Sequence, residues 1–64
     1  MTIEQMKIIA TDKMNTDILY FAHDWITFDV VLSTLSAFKS VNLFSDSEYL
    51  EYLLCIRRFA LENL

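Results

Sequence analysis

Sixty-four residues bound the chain to one small domain, residues 1–64, and a composition 55% hydrophobic and 14% aromatic excludes disorder along its whole length. The absence of glycine and proline and the single cysteine exclude phosphate-binding loops, dinucleotide fingerprints, tight hairpins, a disulfide framework and a cysteine-built zinc site. Nine acids against five bases give a net charge of −4, which disfavours direct binding of nucleic acid or of an anionic membrane surface.

The first predicted element runs from Thr2 to about Thr11. Thr2 and Gln5 have the spacing of a capping box, and Ile3, Met6, Ile9 and Ala10 recur at helical intervals opposite Glu4, Gln5 and Lys7. A short amphipathic helix is expected. The Asp-, Asn- and Thr-rich stretch from Thr11 to Asp17 then predicts a turn, because these side chains compete for nearby backbone groups.

The second element extends from Thr16 to about Ser40. Ile18, Phe21, Trp25, Phe28, Leu32 and Leu35 alternate in steps of three and four, which predicts one long helix with a single apolar seam. Ile26, Phe28, Val30 and Leu32 also alternate with polar residues as a half-buried strand would, and β-branched residues after His23-Asp24 make that point a place for a kink. A second polar interruption, Ser40 to Ser47, separates the third element.

That element runs from Asp46 to Asn63. Ser45 and Glu48 form another capping box, with Asp46 near the positive end of the helix dipole. Tyr49, Leu50, Tyr52, Leu53, Leu54, Ile56, Phe59, Ala60, Leu61 and Leu64 cover most of the cylinder, leaving a narrow polar stripe of Glu48, Glu51, Arg58 and Glu62 around Cys55. A helix apolar over so wide an arc is expected to be covered on more than one side. Chains of this size commonly need a disulfide, a metal or a partner to be stable, and only the partner has support here.

Residues with chemical potential are few. His23-Asp24 pairs a base with a carboxylate, but neighbours on a helix point about 100° apart and are poorly placed to bond each other. Cys55 lacks a neighbour that would make it a dependable nucleophile, although Arg58 lies one turn on; it reads as a small hydrophobe. The spacing of acids from Asp12 to Asp17 lacks the glycine and distal glutamate of a calcium loop. Glu48, Glu51 and Glu62 read as a solvated stripe, with Arg58 paired to Glu62. No catalytic residue, metal ligand set or cofactor is expected.

Between Lys13 and Lys39 the chain has no lysine or arginine, so Asp17, Asp24 and Asp29 are expected to present an acidic face able to dock on a basic protein surface. The expected core or dimer interface is Trp25, Phe28, Leu32, Leu35, Tyr49, Leu53, Ile56 and Phe59. The plan of helices joined by an Asp/Ser-rich turn, without proline or glycine, resembles that of the small dimeric four-helix-bundle regulators of the Rop type. The resemblance implies a paired bundle. It does not extend to their RNA-binding face, which has no counterpart here.

The sequence therefore predicts an all-α fold: a helical hairpin with a short extra N-terminal helix, assembling as a dimeric bundle. The longest stretch free of charge and histidine, Val30 to Phe38, falls far short of the ~20 residues of a membrane span, and the opening residues lack the basic start of a secretory signal. A cytoplasmic location is expected, the host cytoplasm if the source is a phage. The expected function is that of a small acidic, non-enzymatic regulator or inhibitor. It would pair with a second copy and occupy the surface of a larger protein, in the manner of phage inhibitors of host defence or nucleic-acid enzymes. The alternative is a subunit or assembly factor of a larger complex.

Overall fold

Thr2 opens the first helix as its capping box predicts: its Oγ1 accepts from the Gln5 N–H at 3.1 Å, and the Gln5 Oε1 accepts from the Thr2 N–H at 2.9 Å. The structure, a computed structural model, describes residues 1–62. Among these it consists of three α-helices and no strand: α1 (Ile3–Ala22), α2 (Phe28–Ser40) and α3 (Asp46–Glu62). The expected end of the third helix at Asn63, and Leu64 expected on its apolar arc, lie outside the described residues. No helix is long and apolar enough to cross a membrane.

The boundaries differ from expectation at two points. Residues 11–17 are helical, and α1, at 20 residues, is the longest helix rather than a short one. The polar side chains there do not break it because Ala10, Met14, Asp17 and Phe21 continue one buried stripe, while Asp12 and Asn15 fall on the solvent side. Lys13 Nζ also meets Asp17 Oδ1 at 2.9 Å one turn apart within the helix. Conversely, the long helix expected from Thr16 to Ser40 is broken over residues 23–27, where sequence reasoning allowed a kink, and the strand it kept as the alternative from Ile26 to Leu32 is instead the end of this break and the start of α2.

The break is a Schellman ending. Asp24 takes the left-handed conformation (φ 61°), its N–H donates to the Phe21 carbonyl, and the Trp25 N–H donates to the Tyr20 carbonyl at 2.8 Å. Thr27 then caps α2, accepting from the Val30 N–H at 3.3 Å. The second connection repeats this design: Asn42 is left-handed (φ 64°), the Leu43 N–H donates to the Phe38 carbonyl, and Ser45 caps α3 by accepting from the Glu48 N–H. Both connections therefore read as Asp/Asn, two large apolar residues, then Thr/Ser. In a chain without glycine, Asp and Asn are the residues that reach positive φ at least cost. No internal repeat is evident from periodicity because this signal spans only four residues.

Helix α2 packs against both α1 and α3, which meet each other less extensively. The buried apolar core comprises Ala10, Met14, Phe21, Val31, Leu35, Phe44 and Ile56. Phe28, Leu32, Tyr49, Leu53 and Phe59 are half-buried against it. Aromatic contacts close both corners, Phe21 on Phe28 at 5.9 Å and Phe44 on Phe38 and Tyr52 at 5.7 and 5.0 Å between ring centroids. The seam expected from Ile18 to Leu35 thus folds onto itself across the first corner. Trp25, expected in that seam, is 68% exposed, because the Schellman turn sets it outside over Tyr20 (ring centroids 5.4 Å apart).

Two ion pairs tie the elements together: Lys7 on α1 to Glu48 on α3 at 2.8 Å, and Lys39 at the end of α2 to Asp46 at the start of α3 at 2.9 Å. Glu48 is therefore not part of a free acidic stripe. Its Oε1 also accepts from the Ser45 N–H, and Lys7 foremost, with Ser45, lowers its carboxyl from the ordinary 4.5 to about 2. Lys39 lowers the Asp46 carboxyl in the same sense. A carboxyl depressed in the folded state adds stability above its unfolded value and loses it as pH falls through the folded one. Wild-type stability is expected to drop between about pH 4.5 and 2, and Glu48→Gln to flatten that drop. Chemical denaturation at a series of pH values, followed by circular dichroism, measures both.

Candidate functional site

The structure distributes the residues singled out in the sequence very unevenly. Asp17, expected on an outer acidic face, is only 3% exposed and is held by Lys13, so it cannot dock on anything. Asp24 and Asp29 are both exposed, the first within the α1–α2 connection and the second in the first turn of α2. The acidic face therefore reduces to this one corner.

The corner is also where aromatic surface collects. Trp25 meets the Tyr20 ring at a tilt, and the His23 ring stacks on it at 5.1 Å and 26° between planes. Leu19, Tyr20 and Val30, all exposed, extend apolar surface on either side of it in the chain. Local sequence explains the arrangement: α1 must end where Asp24 reverses the chain, and a Schellman turn sets its second outside residue, here Trp25, against the last turn of the helix. Sequence periodicity missed Trp25 as a surface residue because the helical seam runs through it without interruption. The signal was the Asp24-Trp25-Ile26-Thr27 order, which matches Asn42-Leu43-Phe44-Ser45.

His23 and Asp24 are not brought together as a base and its orienter, since the His23 ring lies on the indole instead. Cys55 is a free, half-buried thiol on α3. Among the described residues, no three His, Cys, Asp or Glu side chains gather to hold a metal ion, and the stretch from Asp12 to Asp17 is helix rather than a loop. Arg58 and Glu62, expected as a pair, are in no ion pair with each other.

Outside the corner, two further exposed apolar stripes remain. On α1, Ile8 and Leu19 lie opposite the core, with Ile9 beside them. On α3, Leu50, Leu54 and Leu61 lie opposite Ile56, with Arg57 and Arg58 among them. The wide apolar arc of α3 is thus two faces, one spent on the core and one left outside. The accessible surface, 4638 Å², exceeds the roughly 4,200 Å² typical of a monomer of this mass. The molecule measures 39 × 21 × 14 Å, a flattened rod with little interior.

Comparison of the chain with protein-family models, with curated proteins and with solved structures gives no match.

Proposed function

We propose that this chain is a non-enzymatic, protein-binding regulator or inhibitor that acts by occupying the surface of a larger protein, with Trp25 as the anchor of the contact. The observation that carries this reading is the exposed Trp25 indole, in contact with the Tyr20 and His23 rings, with Asp24 beside it in the chain and Asp29 in the first turn of the helix that follows. Tryptophan and tyrosine dominate the energetics of protein interfaces because they bury large areas at small cost in side-chain entropy. Contact with two neighbouring rings, His23 stacked and Tyr20 tilted, restricts the indole before any partner arrives, which lowers the entropic cost of binding further.

The acids specify the partner's chemistry. No lysine or arginine lies between Lys13 and Lys39, so the corner complements an apolar pocket rimmed by basic residues. A nucleic-acid-processing enzyme, whose substrate channel is necessarily basic, has that chemistry.

The test is affinity capture from lysate of the native host with wild type, Trp25→Ala and the Asp24→Asn/Asp29→Asn pair. Asn at position 24 removes the charge yet keeps a residue suited to positive φ. Wild type is expected to retain one stoichiometric partner. Trp25→Ala should weaken that complex by about 2 kcal/mol or more, roughly 30-fold, with its circular dichroism unchanged. The double variant should weaken it most at low salt. A partner bound equally well by wild type and Trp25→Ala would overturn the corner as the docking site. A chain that aggregates unless co-expressed with a fixed partner would instead make it a structural subunit.

A further inference from the structure

We propose that the outer face of α3 binds a second copy of this chain, as an antiparallel, two-fold α3–α3 pair centred on Leu54. This face is separate from the Trp25 corner and the inference does not depend on it.

The expected dimer seam is not available for such a contact. Leu35 and Ile56 are buried within the chain, and Phe28, Leu32, Leu53 and Phe59 pack against the same core. The outer face of α3 is free: Leu50, Leu54 and Leu61 are all more than half exposed, and Leu54 reaches 65%. Steps of four and seven keep these leucines on one stripe of the helix.

Charge indicates what covers the stripe. Each lysine has a partner within the chain: Lys7 pairs with Glu48, Lys13 with Asp17 and Lys39 with Asp46. Among the described residues, Arg57 and Arg58 are the basic side chains in no ion pair, and both sit beside the leucine stripe. Glu51 is likewise exposed and in no ion pair. Glu51 and Arg58 lie on the same flank of the stripe, two turns and about 10.5 Å apart, too far to reach each other.

A two-fold axis through Leu54, perpendicular to the helix, sets this flank against its own copy running the other way. Glu51 then falls within about 1.5 Å, one residue's rise, of the height of Arg58 in the second copy, and Arg58 meets the second Glu51 by symmetry. Leu54 meets its own copy on the axis. The same operation brings Glu62 within about 3 Å in height of the second copy's Glu48, a carboxylate already paired with Lys7 of its own chain. The stripe is thus self-complementary in charge at Glu51 and Arg58 and apolar along its middle, as an isologous contact requires.

Sedimentation equilibrium over a concentration series is expected to show a reversible rise from the 7.5 kDa chain to twice that mass. Glu51→Arg and Arg58→Glu, each made singly, should weaken the dimer roughly tenfold, and the two combined should restore it, because the pairs are then exchanged rather than broken. Leu54→Cys in a Cys55→Ser background should form an interchain disulfide on oxidation, whereas Ile8→Cys in the same background should not. These side chains are exposed or half-exposed, so unchanged circular dichroism serves as the folding control. A chain monomeric throughout the series would overturn the proposal. So would a dimer indifferent to the charge exchange and crosslinked through Ile8→Cys, which would place the contact on α1.

Discussion

Leu35→Ala is expected to leave a large fraction of the molecules unfolded at 25 °C. Leu35 is fully buried at the centre of α2, the helix that packs against both others, among Val31, Phe44 and Ile56 in the buried core. Truncating a buried leucine removes its transfer free energy and leaves a cavity, together about 2–5 kcal/mol. A domain of this length holds only about 3–5 kcal/mol in total, so the loss is comparable to everything the fold has. Leu54→Ala is the matched control: the same atoms are deleted, but from a side chain 65% exposed, and stability in dilute solution should change by no more than about 0.5 kcal/mol. Urea denaturation followed by circular dichroism measures both. Equal losses in the two variants would mean that the core lies elsewhere.

Position 42 should respond to substitution in opposite directions. Asn42 holds φ at 64°, and its N–H closes the end of α2 on the Lys39 carbonyl. Asn42→Gly keeps that hydrogen bond and removes the remaining Cβ penalty, so a gain of about 0.5–1 kcal/mol is expected, raising the melting temperature by roughly 3–7 °C. Asn42→Val puts a β-branched side chain in the same conformation and should cost about 1–2 kcal/mol or more, lowering the melting temperature by roughly 5–15 °C. Calorimetry on the three proteins checks the order Gly, Asn, Val. Any other order would mean that the α2–α3 connection does not hold its left-handed residue in solution.

Much of the fold was legible residue by residue. The capping boxes at Thr2–Gln5 and Ser45–Glu48 are formed as their spacing implies, and the polar gap from Ser40 to Ser47 does separate two helices. Residues 11–17 misled because cap-forming side chains tell where a helix can stop, not that it does; a continuing buried stripe from Ala10 to Phe21 outweighs them. Residues 16–40 misled for the converse reason. A pattern of regular three- and four-residue steps persists in the sequence across a chain reversal when the turn spans two of those steps, here Phe21 to Trp25 and Trp25 to Phe28, and only the short Asp-Trp-Ile-Thr motif marks the event.

The candidate site was partly visible. Asp24, Asp29 and Trp25 all drew attention in the sequence, but as members of different surfaces: acids on an outer face and the indole in an inner seam. Their exposure at or beside the α1–α2 connection follows from the left-handed turn at Asp24, whereas Asp17 is interior because it lies on the buried stripe of α1, held there by Lys13.

The amino-acid sequence by itself determined that this chain is helical, where two of its helices begin, that it is acidic, and that it carries more apolar surface than so short a chain can enclose. Those properties follow from composition, local hydrogen bonding and the ratio of surface to volume. Only the tertiary structure decided where the first helix ends, which apolar side chains are spent on the core, and which, Trp25 and Leu54 foremost, are left outside. Those outcomes depend on how a connection of five residues directs everything after it, and periodicity along a helix carries no information about such a connection.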